Sequence, residues 1–414
     1  MKKGFLFFIC FVILPLYLPA DDEIVLNENE DSFPEEVKGL FRSRSRIIEL
    51  GLMNINIGLS NDYLKITEIF RDTLVLDVDM LEKGLKINFG VVFSPVYFNL
   101  NINDKWGVGL STRLDAEGIV NASGNMLSLK EAENDKADAG GAAYAEIRLN
   151  SFFYISKFKI MIKPALYYPL VYIKPDILYT YKVGDSGPIF HLDYNFRLYS
   201  AWTQEEHPDK ISLTALPGVD FYLGAQYPLS EVLGISKKIK YLDFDVGLEF
   251  INIPILPSAM KNYMEFSGMI GSAEPMNFFG GSMNKDSIVN NNDIAYNEEE
   301  RTFMRPFKML TWVDWRPFGV LFSFIPTVGF AINPLYIQPY SIEGGIKARL
   351  DVLNRFIAAL GISYDDRLWK NSIDLVFNSR AIEFDLGVYF YSADFIRIWA
   401  GCGFGLNVGF KLGW

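Results

Sequence analysis

Cysteine is almost missing from this chain. Only Cys10 and Cys402 occur in 414 residues, and Cys10 lies inside the apolar start. One cysteine beyond that start makes no internal disulfide and no thiolate cluster. Histidine is equally scarce. His191 and His207 are widely separated and have no spaced cysteines between them, so neither a zinc site nor any other metal site is expected. Positive charge is also short: the formal net charge is -11. Phosphate backbones need a basic surface, so nucleic acid is excluded as a partner. Finally, past residue 20 no apolar run reaches the length of about 20 residues that a spanning helix requires.

What is present in quantity is apolar surface without such helices. Half the residues are apolar and 15% are aromatic. A strand-built chain can hold that composition in two ways, as a large soluble β-protein or as a barrel whose alternate residues face lipid. The first twenty residues carry Lys2 and Lys3, an apolar core from Phe5 to Tyr17, then Pro19 and Ala20. That is the layout of a secretory signal peptide, with cleavage expected before Asp21. Residues 21–46 turn acidic and then basic and read as a periplasmic lead-in.

The last stretch speaks most clearly. Ile396, Ile398, Ala400, Cys402, Phe404, Leu406, Val408, Phe410, Leu412 and Trp414 take every second position. Gly401, Gly403, Gly405, Asn407, Gly409, Lys411 and Gly413 lie between them. A strand sends successive side chains to opposite faces, so one face is apolar and the other small and hydrated. The glycines are not a phosphate loop, which needs a strand turning into a helix. At nineteen residues the stretch is nearly twice one tilted crossing. Phe404 to Trp414 is therefore read as the closing strand, with Phe410 and Trp414 at its terminus.

The same period recurs upstream. Leu242, Phe244, Val246, Leu248 and Phe250 alternate with Asp243, Asp245, Gly247 and Glu249. Ile342, Ile346, Ala348, Leu350 and Val352 alternate with Glu343, Gly345, Lys347, Arg349 and Asp351. Leu192, Tyr194, Phe196 and Leu198 alternate with His191, Asp193, Asn195 and Arg197. Many segments run about ten residues, the length a tilted strand needs to cross an outer membrane. Tyr and Trp gather near segment ends, at Trp106, Tyr167, Tyr168, Tyr172, Trp202, Trp312, Trp315, Trp369 and Trp399, as interfacial girdles require. Only Tyr63 to Leu81 departs, with Tyr63, Ile66, Phe70 and Leu74 at helical spacing.

The fold expected is all-β, a transmembrane antiparallel β-barrel of about fourteen to sixteen strands with a short helical segment near the N-terminus. The barrel would span 47–414, with long loops at about 115–141 and 253–302. If the apolar rows face lipid, the charges opposite them face a lumen, because a charge at mid-membrane depth costs about 2–4 kcal/mol on the lipid side. Asp193, Arg197, Asp243, Asp245, Glu249, Glu343, Lys347, Arg349 and Asp351 are the expected lumen-lining residues. They either select a solute or pair statically across a blocked wall. No catalytic residue is expected. His191 shares a face with Asp193 and Arg197, but no serine or cysteine nucleophile stands in a motif nearby. No cofactor is implied.

The signal, the alternating strands and Trp414 together resemble bacterial outer-membrane barrels. The region from Ile48 to Leu114 is more particular, with a strand, the helical stretch at Tyr63–Phe70, the segment Leu74–Leu81, then Gly90, Gly107 and Gly109 in strands. That layout is similar to barrels of the long-chain fatty-acid transporter type. The resemblance implies a fourteen-stranded barrel with a plug near its N-terminus that passes hydrophobic molecules. The Asn-Pro-Ala element of that plug is absent here, and no ligand residue carries over. The expected role is an outer-membrane channel or uptake protein for small molecules. The alternative is a surface-exposed adhesin or structural barrel without transport. Expected partners are outer-membrane lipid, the barrel-assembly machinery through the C-terminal strand, and a small solute that the residues do not identify.

Overall fold

A computed structural model describes residues 47–61 and 84–413, apart from stretches at 104, 129, 185–186, 203–213, 235–241, 273–287, 333–339, 353–354, 366–367, 380, 393–394, 396–397 and 399–401. The expected signal peptide, the lead-in at 21–46, the helical segment Tyr63–Leu81 and Trp414 lie outside the described residues.

The wall begins as a meander of long antiparallel strands. These are β1 (Ile48–Asn61), β2 (Leu85–Asn103), β3 (Trp106–Ala122), β4 (Ala132–Ile155) and β5 (Phe158–Gly184). The next three courses are each split in two. β6 (Gly187–Ser200) and β7 (Gly218–Tyr227) run end to end beside β5. β8 (Phe244–Leu256) continues into β9 (Ser258–Ser272), and β10 (Ile288–Phe303) into β11 (Phe307–Trp315). After a short β12 (Pro317–Val320) come β13 (Phe322–Ile332), β14 (Tyr340–Val352), β15 (Phe356–Asp365), β16 (Leu368–Asn378), β17 (Ile382–Ser392) and β18 (Gly403–Gly413).

The final strand closes the ring. β18 pairs with β17 on one edge and with β1 on the other, Leu406 lying opposite both Val388 and Ile57. With each split course counted once, the closed wall has 14 antiparallel strands. Closure leaves no unpaired edge within the wall, which is what a sheet needs in a solvent that offers no hydrogen bonds. No described helix is long and apolar enough to cross a membrane.

Alternation decides which face looks outward. On β14, Ile342, Ile346, Leu350 and Val352 are exposed, while Ser341 just before them is buried and Glu343, Lys347 and Arg349 between them are ion-paired. On β18, Phe404 and Leu406 are exposed. Phe89, Val91, Val96 and Phe98 on β2, and Leu110, Leu114 and Val120 on β3, continue the apolar band. Trp106, Tyr154, Phe158, Trp315 and Phe318 mark one rim, where the turns are tight. Tyr340, Tyr364 and Phe395 mark the other, with Trp369 packed 5.0 Å from both Tyr364 and Phe395.

The two long loops are not loops. β3 runs through 115 to Ala122, and β4 starts at Ala132 after a single helical turn, α1 (Gly124–Ser128). Likewise the described residues of 253–302 form the end of β8 and the paired strands β9 and β10. The apolar period fades there because both faces of these outer halves meet polar surroundings. Backbone pairing continues regardless. β4 and β5, at 24 and 27 residues, are about twice the length of one crossing, whereas β13 to β18 are of crossing length. One side of the barrel therefore stands tall, and β6, β9 and β10 extend it as an outer sheet.

The lipid-facing assignment has a direct test. Leu406→Arg should lower the unfolding free energy in lipid vesicles by about 2–4 kcal/mol. Asn407→Ser, on the opposite face, should change it by less than about 0.5 kcal/mol. Urea titration of both variants checks the pair, and equal small effects would place the apolar row away from lipid.

Candidate functional site: a fastened junction beneath an aromatic layer

The nine charged residues expected along a lumen divide into three groups. Asp245 and Glu249 of β8, with Glu343, Lys347, Arg349 and Asp351 of β14, lie on the inner face of the closed wall. All six are engaged. Lys308 pairs with Glu343 at 2.7 Å, Lys347 with Asp374 at 2.9 Å, and Arg349 with Asp351 at 2.9 Å. Trp312 Nε1 donates to Glu249 at 2.8 Å, while Gln226 and Arg316 contact Asp245 at 3.1 Å and 2.8 Å. Trp312 itself belongs to this inner face and not to a girdle. It lies flat over Gly247, where a Cβ would come within 2.1 Å of the indole. Asp243 sits just before β8, held by Arg316 and Ser230. Asp193 and Arg197 lie on β6 in the outer sheet, where Arg197 faces Glu265 at 3.5 Å. The structure does not bring the β8, β14 and β6 charges together. The partly exposed pairs Lys308–Glu343, Lys347–Asp374, Arg349–Asp351 and Arg197–Glu265 contribute at most about 1 kcal/mol each.

The concentrated chemistry is elsewhere, where the closed wall meets the outer sheet. Four neighbouring courses change there, and each has a proline at the change: Pro169 in β5, Pro217 before β7, Pro257 between β8 and β9, and Pro306 before β11. Proline supplies no ladder donor, so the backbone is one bond short at each of these positions. On β5 the partner switches from β7, ending at Tyr167, to β6, starting at Val171. A register shift against β4 falls at Ala143–Tyr144.

Side chains fasten what the ladder releases. Arg305, in the link from β10 to β11, grips Asp220 of β7 through both Nε and Nη2, at 2.7 Å and 2.6 Å. Its Nη1 donates to Glu146 of β4, which also meets Arg148 at 2.6 Å. These side chains are dry, with Arg305 6% exposed and both acids 3%. The planar guanidinium suits two carboxylates at once. It also lies 4.7 Å from the Tyr167 ring centre. Tyr167 donates its hydroxyl hydrogen to the Phe303 carbonyl at 3.0 Å and accepts from Ser258 N at 3.3 Å. The Ser258 hydroxyl donates to the same carbonyl at 3.0 Å. Gly218 makes room for this ring, since a Cβ there would meet Tyr167 Cζ at 2.3 Å.

Above this charged floor lies an aromatic layer of Tyr144, Tyr167, Tyr172, Tyr199, Phe303 and Met260, edged by Tyr168, Trp202 and Tyr263. Tyr172 and Phe303 lie 4.9 Å apart, Tyr199 and Tyr263 5.1 Å, and Tyr144 meets Tyr167 edge-on at 6.1 Å. Tyr167, Tyr168, Tyr172 and Trp202 therefore belong to an interior cluster and not to the membrane girdles. Burial against partners from β4, β6, β9 and β10 moves them there, and spacing along one strand does not reveal it. Arg301 of β10 covers the layer, its guanidinium 5.1 Å from the Tyr172 ring, 5.3 Å from Tyr199 and 5.9 Å from Phe303.

No family model matches the chain, and no curated protein matches it either. Solved structures do match. A ΔS2S3 mutant of TodX, described as a monoaromatic hydrocarbon channel, aligns with a TM-score of 0.51 at 9% identity, over 91% of this chain and 92% of its own. The toluene transporter TodX of P. putida aligns with a TM-score of 0.48 at 9% identity, over 91% of each chain. The toluene transporter TbuX of Ralstonia pickettii gives 0.44 at 8% identity, again over 91% of each. At such identity the likeness is one of fold. What is shared is the barrel.

The junction's energetics can be measured. Arg305→Met leaves Asp220 buried without its cation and Glu146 with Arg148 alone, and should destabilise the barrel by about 3–5 kcal/mol. Lys308→Met, at a half-exposed pair, should cost less than about 1 kcal/mol. Comparable losses in denaturant titrations of the two variants would deny the junction its special standing.

Proposed function

We propose that this chain is an outer-membrane channel for small hydrophobic molecules. One observation carries the reading: a closed 14-strand wall is apolar along its outer face and polar along its inner face. A wall with that pattern is at rest only in lipid, with its inner face lining a hydrated or occupied interior. The barrel of the TodX mutant, a monoaromatic hydrocarbon channel, supports the choice of cargo. Asp245, Glu249, Glu343, Lys347, Arg349 and Asp351 line the conduit in this reading, and their mutual pairing keeps them from trapping a charged solute. The signal-like start and the apolar closing strand, with Phe410 and Trp414, support delivery to the outer membrane and handling by the barrel-assembly machinery.

A second role, as a surface-exposed binding barrel, draws on the outer sheet. Among the described residues β10 pairs only with β9, and its exposed Glu298, Glu299 and Glu300 make an acidic edge.

Proteoliposomes separate the two. Vesicles holding the folded barrel should admit radiolabelled toluene faster than empty vesicles, with saturation, and should admit sugars no faster. A barrel that folds, shows heat-modifiable migration on detergent gels and yet passes neither class of solute would end the channel reading in favour of the surface role.

A further inference from the structure

Two cations of the wall lack the match that their neighbours have. On β5 the exposed Phe158 and Leu166 fix the outward side, so Lys159 and Lys163 share the inner side with Tyr167. Both lysines are half-buried. Elsewhere on that face carboxylates match the cations: Asp115 meets Arg113, Glu343 meets Lys308, Asp374 meets Lys347 and Glu383 meets Lys411. Among the described residues no carboxylate pairs with Lys159 or Lys163. What each meets is a ring. Lys159 Nζ lies 5.0 Å from the Phe152 ring centre and 6.0 Å from that of Tyr154, and Lys163 Nζ lies 4.4 Å from that of Tyr222. Glu249, the carboxylate whose field reaches Lys163, is already held by Trp312 Nε1 at 2.8 Å and by the Tyr222 hydroxyl.

We infer that Lys159 and Lys163 give the conduit a preference for organic anions, as two successive stations for the carboxylate or sulfonate of an aromatic solute. This rests on the channel reading and adds a charge preference to it. A ring face attracts an ammonium but is a weak acceptor, so the N–H donors of both lysines remain for an anion. An ammonium donates and never accepts, and its charge repels a cation, so the choice of sign is unambiguous. The surplus is local, in a chain whose formal net charge is -11, and low-dielectric walls focus such a field along the interior. Lys159 stands nearest the rim of tight turns, where the exposed Tyr154 offers ring surface beside it. Lys163 follows about 13 Å further along the strand. One small anion does not span that gap, yet the fields of the two lysines overlap. An ion can therefore be drawn in at the first and passed to the second without being trapped, as conduction through several weak sites requires.

Proteoliposomes holding the folded full chain test this with two aromatic ions of similar size, benzenesulfonate and N,N,N-trimethylanilinium, beside toluene. Benzenesulfonate should enter at least about tenfold faster than trimethylanilinium, the scale of one hydrogen bond to a charged group. Raising the salt concentration should narrow the gap. The double variant Lys159→Gln/Lys163→Gln should slow benzenesulfonate about tenfold and abolish its lead, whereas Lys159→Arg/Lys163→Arg should keep it. Heat-modifiable gel migration shows that each variant is folded. Equal entry of the two ions, a lead for trimethylanilinium, or a benzenesulfonate lead that survives the glutamine variant would each overturn the inference, while toluene entry alone would leave the channel reading standing. Vesicles that admit none of the three compounds would end the channel reading, and titration of the detergent-solubilised chain with benzenesulfonate then decides the stations. Tighter binding by the unaltered chain than by the glutamine variant supports them, and equal binding overturns them.

Discussion

Every backbone amide of a sheet in lipid must find its partner inside the sheet, because hydrocarbon offers none. That requirement sets the architecture here. A flat sheet of these strands would leave β1 and β18 with two rows of unpaired groups, and the seam between them removes both at once. The seam is built from small residues on its inner side. Gly403, Gly405 and Gly409 of β18 stand opposite Ser60, Gly58 and Asn54 of β1. Their outward neighbours Phe404, Leu406 and Val408 supply the apolar surface. The strand that closes the ring thus meets both demands, dense pairing and a greasy exterior, with one alternating pattern.

Beyond the membrane the requirement relaxes, because water can satisfy a freed amide. Pro169, Pro217, Pro257 and Pro306 fall where the closed wall gives way to the outer sheet. What the wall loses in ladder bonds at this line it regains through side chains of unusual burial. Arg305, Asp220 and Glu146 come from three separate courses, and Tyr167 ties a fourth to the carbonyl of Phe303. A dry ion trio adds little stability against an apolar replacement, yet losing one member is costly. Such a trio therefore fixes relative position more than it raises stability. It holds the outer sheet at one orientation over the barrel, and the aromatic layer sits in the angle so defined.

Much of the closed wall can be read from residues alone, for a simple reason. β14 and β18 have one face in lipid and one toward water, and that contrast imprints period two on the sequence. The outer halves of β4 and β10 carry no such contrast. Asp135, Lys136 and Asp138, or Asn297 and Glu298, look like loop residues because neither face needs to be apolar, although the backbone still pairs. Arg305 is harder still. Met304-Arg305-Pro306 reads as a break between strands, and nothing local says that its partners lie 85 and 159 residues earlier. The tyrosines were visible as ring-rich segment ends, but an interfacial tyrosine and a buried one have the same spacing.

Charge opposite an apolar row is therefore a good guide to the inner face and a poor guide to the site. Lys347 and Asp374, or Lys308 and Glu343, keep partial access to water, so their pairing is nearly neutral in free energy and many substitutions would serve. Asp220 and Glu146 have no such access, and only a matched cation lets them remain charged. The residues on which the geometry depends are the ones whose polar atoms are both buried and constrained, because only there does a missing hydrogen bond cost appreciably. Arg305, Asp220 and Glu146 meet that condition while the paired charges of β14 do not. The most constrained chemistry of this barrel thus lies where the wall stops being a regular sheet.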